Sequence, residues 1–165
     1  MRIKRPLILL ASLLGVAAFL ATCTPDMLGT PPVDNTPATI SGQVDMSTSP
    51  PYLNDPVLGS AGVTVVFFNL DNSTHWYVQT TQGDHTFQVS VPPGTYQLVA
   101  YGPGVGNLPY VAAGYTGMEP SCGKELKTII VRPGTQIEDI VIADWNWTCD
   151  GTAPRQDKPA DVPLP

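Results

Sequence analysis

Few side chains in this sequence are suited to chemistry. There are three cysteines, Cys23, Cys122 and Cys149, and two histidines, His75 and His85. An odd cysteine count leaves one thiol outside any intramolecular pairing. Cys23 stands where an apolar run stops and the proline-rich stretch "TPDMLGTPPVDNTPA" begins. Cys122 and Cys149 remain as a pair. In an oxidising compartment a bridge between them would close a loop of about 28 residues and contribute about 3 kcal/mol by the chain-entropy estimate. Without oxidising machinery they stay as two free thiols. No CxxC and no histidine beside a cysteine supports a metal site. His75 and His85 lie ten apart, with Asp71 and Asp84 nearby, and read as surface histidines near strand edges. Trp145 and Trp147 are two apart, so an extended strand points them the same way. Tyr110 and Tyr115 lie in a long connection that a Cys122 bridge would hold close by.

Several patterns come near an enzymatic motif and fail on a specific residue. "LGSAG" has leucine at position 58, where a nucleophile elbow needs glycine. "GMEPSCGKE" has five residues between Gly117 and Gly123, and Glu125 stands where a phosphate loop needs Ser or Thr to meet magnesium. "GPGVGN" places Asn107 where a dinucleotide fingerprint needs glycine. No nucleophile is paired with a base. The expectation is a protein that is not an enzyme and uses no cofactor.

The N-terminus "MRIKRPLILLASLLGVAAFLATC" has a basic head of Arg2, Lys4 and Arg5, then an uncharged apolar stretch over residues 7–20. That stretch is shorter than the roughly 20 residues a spanning helix needs, and it matches the order of a secretory signal. Leu20-Ala21-Thr22-Cys23 resembles the lipobox of bacterial lipoproteins. Thr22 departs from the Gly, Ala or Ser usual there. The resemblance implies cleavage before Cys23 and a diacylglyceryl thioether on its sulfur. More than one acyl chain is needed for stable anchoring. The other reading of Cys23 is a stray thiol on a secreted protein.

Loss of residues 1–22 removes three of the eight basic residues, leaving five against 14 acidic ones and a net charge of −9. Phosphate contacts need clustered Lys and Arg, so nucleic acid is not an expected partner. Anionic headgroups are poor partners for the same reason, which leaves the lipid as the membrane contact.

Seven short segments read as strands. "TISGQVDM" places Ile40, Gly42 and Val44 on one face. "GVTVVFFNL" is apolar, β-branched and too short for a helix. "THWYVQT" follows the Asp71-Asn72-Ser73 turn. "HTFQVSV" turns Phe87, Val89 and Val91 inward, and "TYQLVAY" does the same for Tyr96, Leu98 and Ala100. Between these two, Pro92-Pro93-Gly94 predicts a turn in which proline presets φ and glycine accepts a positive one. "LKTIIVRPG" and "IEDIVIADW" complete the set. The long connection 101–125 shows no alternation and predicts a functional or mobile loop. "NST" at 72 and "NWT" at 146 match glycosylation acceptors, and beside a bacterial lipobox they read as chance matches in turns.

The spacing predicts an all-β fold, a single antiparallel seven-stranded β-sandwich. The expected domains are a signal peptide over 1–22, a lipidated Cys23 and proline-rich linker over 23–38, the sandwich over 39–149, and a disordered proline-rich tail over 150–165.

"ISGQV", "AGVTVVFFN", "FQVSVPPGTYQLVAYG" and "VRPGTQIEDIVIADW" resemble carboxypeptidase regulatory-like domains, of the transthyretin-like and starch-binding-like sandwich group. The likeness spans roughly residues 39 to 145, and its most specific element is Val91-Pro92-Pro93-Gly94-Thr95-Tyr96. Intradiol dioxygenases share a related sandwich, but their close His-x-His pair is absent. The Tyr-Arg-Gly-Ser ending of hydroxyisourate hydrolases is absent too. Because the group includes starch-binding modules, the resemblance implies a second reading. Trp145, Trp147, Tyr110 and Tyr115 would form an aromatic platform for a glycan. In the plainer reading Trp145 caps the core and Trp147 shields the sandwich end. The leading expectation is a lipid-anchored extracytoplasmic module with a non-catalytic binding or envelope-structural role. Its expected partners are the membrane, through the N-terminal lipid, and a glycan or another envelope protein.

Overall fold

The computed structural model describes residues 33–54, 62–81, 83–117, 125–145 and 156–165. Asp34–Pro165 form one unit. The described residues form nine strands: β1 (Ala38–Val44), β2 (Thr64–Asn69), β3 (His75–Gln79), β4 (Thr86–Val91), β5 (Gly94–Pro103), β6 (Tyr110–Gly114), β7 (Ile129–Val131), β8 (Gln136–Ile142) and β9 (Asp144–Trp145). A 3-10 turn, Pro51–Asn54, lies between β1 and β2. Among the described residues no helix is long and apolar enough to cross a membrane.

The strands make two sheets. One has the order β4-β1-β8, and the other runs β3-β2-β5-β6-β9 with β7 also paired to β5. The first half of β5 pairs with β7 and the second half with β6. Inward residues of both sheets build one core. Ile40, Phe87, Val91, Ile140 and Ile142 face Val65, Phe67, Leu98, Ala100 and Val111. Phe67 and Phe87 meet edge to face across the sandwich, with ring centroids 5.9 Å apart. Such a pair adds about 0.5–1.5 kcal/mol beyond its burial.

The fold is all-β, and it departs from the expected seven antiparallel strands in three places. First, β1 pairs with β8 in parallel, so the smaller sheet is mixed. Second, "IEDIVIADW" is two strands rather than one. The chain leaves the three-stranded sheet at Ile142, passes Ala143, and enters the other sheet at Asp144. Third, the connection 101–125 contains β6, which pairs with β5 from Val99↔Gly114 to Pro103↔Tyr110. Alternation is missing there because Val111, Ala112, Ala113 and Gly114 are all buried, on both faces of the sheet.

The Pro-Pro-Gly turn also works differently from its prediction. Gly94 does not have a positive φ. It is needed for space, since a Cβ there would lie 2.6 Å from Asn69 Nδ2. Tyr96 then reaches back, its hydroxyl donating to the Pro92 carbonyl at 2.8 Å.

The ends of the unit extend further than composition suggests. Thr36 already accepts a backbone hydrogen bond from Gly134 at 3.0 Å, so attachment begins ahead of β1. A disordered tail is expected over 150–165, yet residues 156–165 lie against the larger sheet. Val162 is buried there with Val66, Val99, Tyr101 and Ala112.

Candidate functional site

Among the described residues the aromatic platform does not come together. Trp145 is fully buried in the core, and its Nε1 donates to the Asp45 carbonyl at 2.7 Å. Tyr110 lies on the opposite face of the same sheet, edge to face with Tyr101 at 5.4 Å. Tyr115 packs half-buried against the core, with Lys127 Nζ 5.7 Å from its ring centroid. Three of the four predicted side chains therefore share no surface. Trp147, and the cysteines Cys23, Cys122 and Cys149, lie outside the described residues.

The histidines are also apart in role. Nε2 of His75 lies 3.1 Å from Asp161 Oδ2. His85 ends the β3–β4 connection with a left-handed φ of 54°, and its Nδ1 is shielded with no hydrogen-bond partner. Among the described residues no three His, Cys, Asp or Glu side chains group as a metal would require.

A different concavity is formed by the outer face of the three-stranded sheet. It is a groove of about 590 Å³, lined by Ser41, Gln43, Thr81, Thr86, Gln88 and Glu138, with Gly42 and Asp139 at its bend. Its shape originates in a β-bulge. β1 and β8 pair at Ile40↔Ile137 and then at Gly42↔Ile140, so Glu138 and Asp139 together oppose Ser41. Asp139 takes a left-handed φ of 60° to make that bend. Gly42 is required beside it, because a Cβ would sit 2.1 Å from the Ile140 carbonyl oxygen.

One wall of the groove is fixed by the β3–β4 connection. Thr81 N donates to the Thr86 carbonyl at 2.8 Å, and Thr86 Oγ1 donates to Asp84 Oδ1 at 3.1 Å. The side chains of Gln43, Gln88, Glu138 and Asp139 make no hydrogen bond or ion pair with described residues. The groove thus presents amides and hydroxyls, which donate and accept, beside two carboxylates, which only accept when ionised. That set suits a neutral or cationic ligand rich in hydroxyl or amine groups, and opposes an anion. Among its described lining residues no nucleophile is hydrogen-bonded to a base that also lines it.

Sequence reasoning passed over these residues. Each is an ordinary outward-facing position of its own strand, and the three strands are far apart in sequence. The one local signal was Gly42, which lies within an otherwise alternating strand.

No family model matches the chain, and neither a curated protein nor a solved structure matches it.

Proposed function

We propose that the chain is a non-catalytic β-sandwich module, tethered outside the cytoplasm to a bacterial membrane through a lipidated Cys23. The observation that carries this reading is the position of Cys23. A basic head, a short apolar run and Leu20-Ala21-Thr22 precede it, and a proline-rich stretch separates it from an all-β unit. Proline-rich chain extends by about 3.1 Å per residue, which holds a domain clear of the bilayer surface. Metabolic labelling with an alkyne palmitate analogue tests the anchor. Label on the wild type and none on Cys23→Ser supports it; equal label on both contradicts it.

A second reading, carbohydrate binding, is favoured by the groove rather than by the tryptophans. Gln43, Gln88, Glu138 and Thr86 offer the paired donors and acceptors that sugar hydroxyls need. A glycan would lie across the outer face of the three-stranded sheet. Trp145, being buried, takes no part in this reading.

A further inference from the structure

Among the described residues β3 is an edge of the larger sheet, paired only with β2. That pairing alternates along the strand. Asn69 N donates to the Thr74 carbonyl and Thr80 N to the Val63 carbonyl, each at 2.9 Å. Between these points Phe67↔Trp76 and Val65↔Val78 continue the bonded pairs. The N–H and C=O groups of His75, Tyr77 and Gln79 therefore point away from β2, and no described residue takes them up.

The other edges are protected. β8 is bent by its bulge and presents Glu138 and Asp139. β9 has two residues, and β7 has three and runs into Arg132 and Pro133. β4 runs into Pro92 and Pro93, and its Thr86 carbonyl already accepts from Thr81 N. Short strands, bulges, charges and prolines are the means by which edges refuse a further strand. β3, "HWYVQ", has no lysine, arginine, acid, proline or bulge. Tyr77 is exposed at its centre, and Trp76 and Val78 are only partly buried.

The chemistry of this strand is symmetric about Tyr77. Read in either direction it is polar, apolar, tyrosine, apolar, polar. An antiparallel pair of β3 strands centred on Tyr77 sets His75 against Gln79, Trp76 against Val78, and Tyr77 against Tyr77. Each of the three outward residues supplies one donor and one acceptor, so the two copies exchange six backbone hydrogen bonds. A foreign strand would find the same backbone groups, but a copy of β3 also matches the side chains row by row.

We propose that β3 is a two-fold interface, at which a second copy of the chain continues the larger sheet with Tyr77 on the axis. One five-residue strand from each copy makes a small interface. The acidic chain also repels its copy, so the dimer is weak and strengthens as salt screens that repulsion. The proposal rests on neither the anchor nor the groove.

The test uses residues 24–165, which include the whole unit Asp34–Pro165, in sedimentation equilibrium at rising concentration. The wild type is expected to shift from monomer toward dimer. Tyr77→Lys and Tyr77→Glu each place like charges on the axis and are expected to raise the dissociation constant at least tenfold. Mixed in equal amounts, the two variants place opposite charges there and should recover the dimer. Ile130→Lys, at an exposed apolar residue of β7, should leave association unchanged. Hydrogen exchange on the wild type needs no variant. The amides of His75, Tyr77 and Gln79 are expected to slow severalfold from low to high concentration, while Trp76 and Val78, already bonded to β2, change less. A wild type that stays monomeric at the highest concentration reached overturns the proposal. So does a dimer that Tyr77→Lys leaves intact, or a mixture of the two charged variants that stays monomeric. Slowing at the three amides only when a peptide of another sequence is added would assign the edge to a foreign strand, and overturns it too.

Discussion

The Tyr96 hydroxyl donates to the carbonyl of Pro92, four residues upstream and 2.8 Å away. Tyr96 is fully buried and stands edge to face with Trp76, with centroids 5.8 Å apart. This one contact ties the end of β4, in the smaller sheet, to the start of β5, in the larger one. It is a corner of the kind that antiparallel sandwiches use where a chain changes sheet. Tyr96→Phe keeps the ring and removes the bond. It is expected to lower stability by about 1–1.5 kcal/mol, read as a shift of the urea midpoint at unchanged slope.

Alkaline pH should act on the same residue. Burial pushes the Tyr96 hydroxyl above its ordinary value; a hydrogen bond from Asn69 opposes this and the Asp71 charge adds to it. Burial raises Tyr52 as well. A raised pKa means the native state keeps its proton after the unfolded chain has lost it. Stability is therefore intact below about pH 10 and falls as pH climbs past the unfolded tyrosine value and through the folded one. Chemical denaturation between pH 8 and 11 checks this. The Tyr52→Phe, Tyr96→Phe double variant should show a shallower fall.

Gly42→Ala is expected to be costly for a small change. The new methyl would meet the Ile140 carbonyl oxygen and Cβ, both parts of the bulged strand β8. A loss of about 3 kcal/mol follows from displacing that backbone. Gly83→Ala, where a Cβ would meet nothing within 4 Å, tests a left-handed φ of 89° with no crowding and should cost less. Thermal melts of the two variants separate crowding from backbone strain.

Trp145 should behave as a core residue. Trp145→Ala empties a fully buried site and is expected to cost about 3–5 kcal/mol. Trp145→Phe keeps part of the volume but leaves the Asp45 carbonyl without its indole donor. Both losses appear in denaturation whether or not a ligand is present.

If the groove binds a glycan, Gln43→Ala with Gln88→Ala should abolish binding on a glycan array while changing stability by no more than about 0.5 kcal/mol. Binding by the wild type that survives the double substitution would place the ligand elsewhere.

The strand pattern was legible where one face of a strand is buried and the other is wet. Tyr96, Leu98 and Ala100 point inward as their alternation requires, and so do Phe87 and Val91. It failed where both faces are covered. β6 is hidden in sequence because Ala112 faces the C-terminal segment while Val111 and Ala113 face the core. That cover was itself illegible. Four prolines in the last 16 residues dominate its composition, yet burial of Val162 and the hydroxyls of Tyr101 and Thr64 hold residues 156–165 on the sheet. The parallel pairing of β1 with β8 and the groove above it depend on residues about a hundred positions apart, which no local period reports. The two-residue spacing of Trp145 and Trp147 predicts a shared face in an extended strand, but burial of Trp145 depends on the sheet change at Ala143.

The most direct test of the anchored module is the fate of Cys23→Ser in a bacterium that processes lipoproteins. The wild type is expected in the membrane fraction, with Cys23 as its modified first residue. The variant is expected to lose the lipid and leave that fraction for the soluble extracytoplasmic one, or to persist uncleaved with residues 1–22 still attached. A Cys23→Ser protein that is cut normally and remains in the membrane fraction would contradict the lipid anchor.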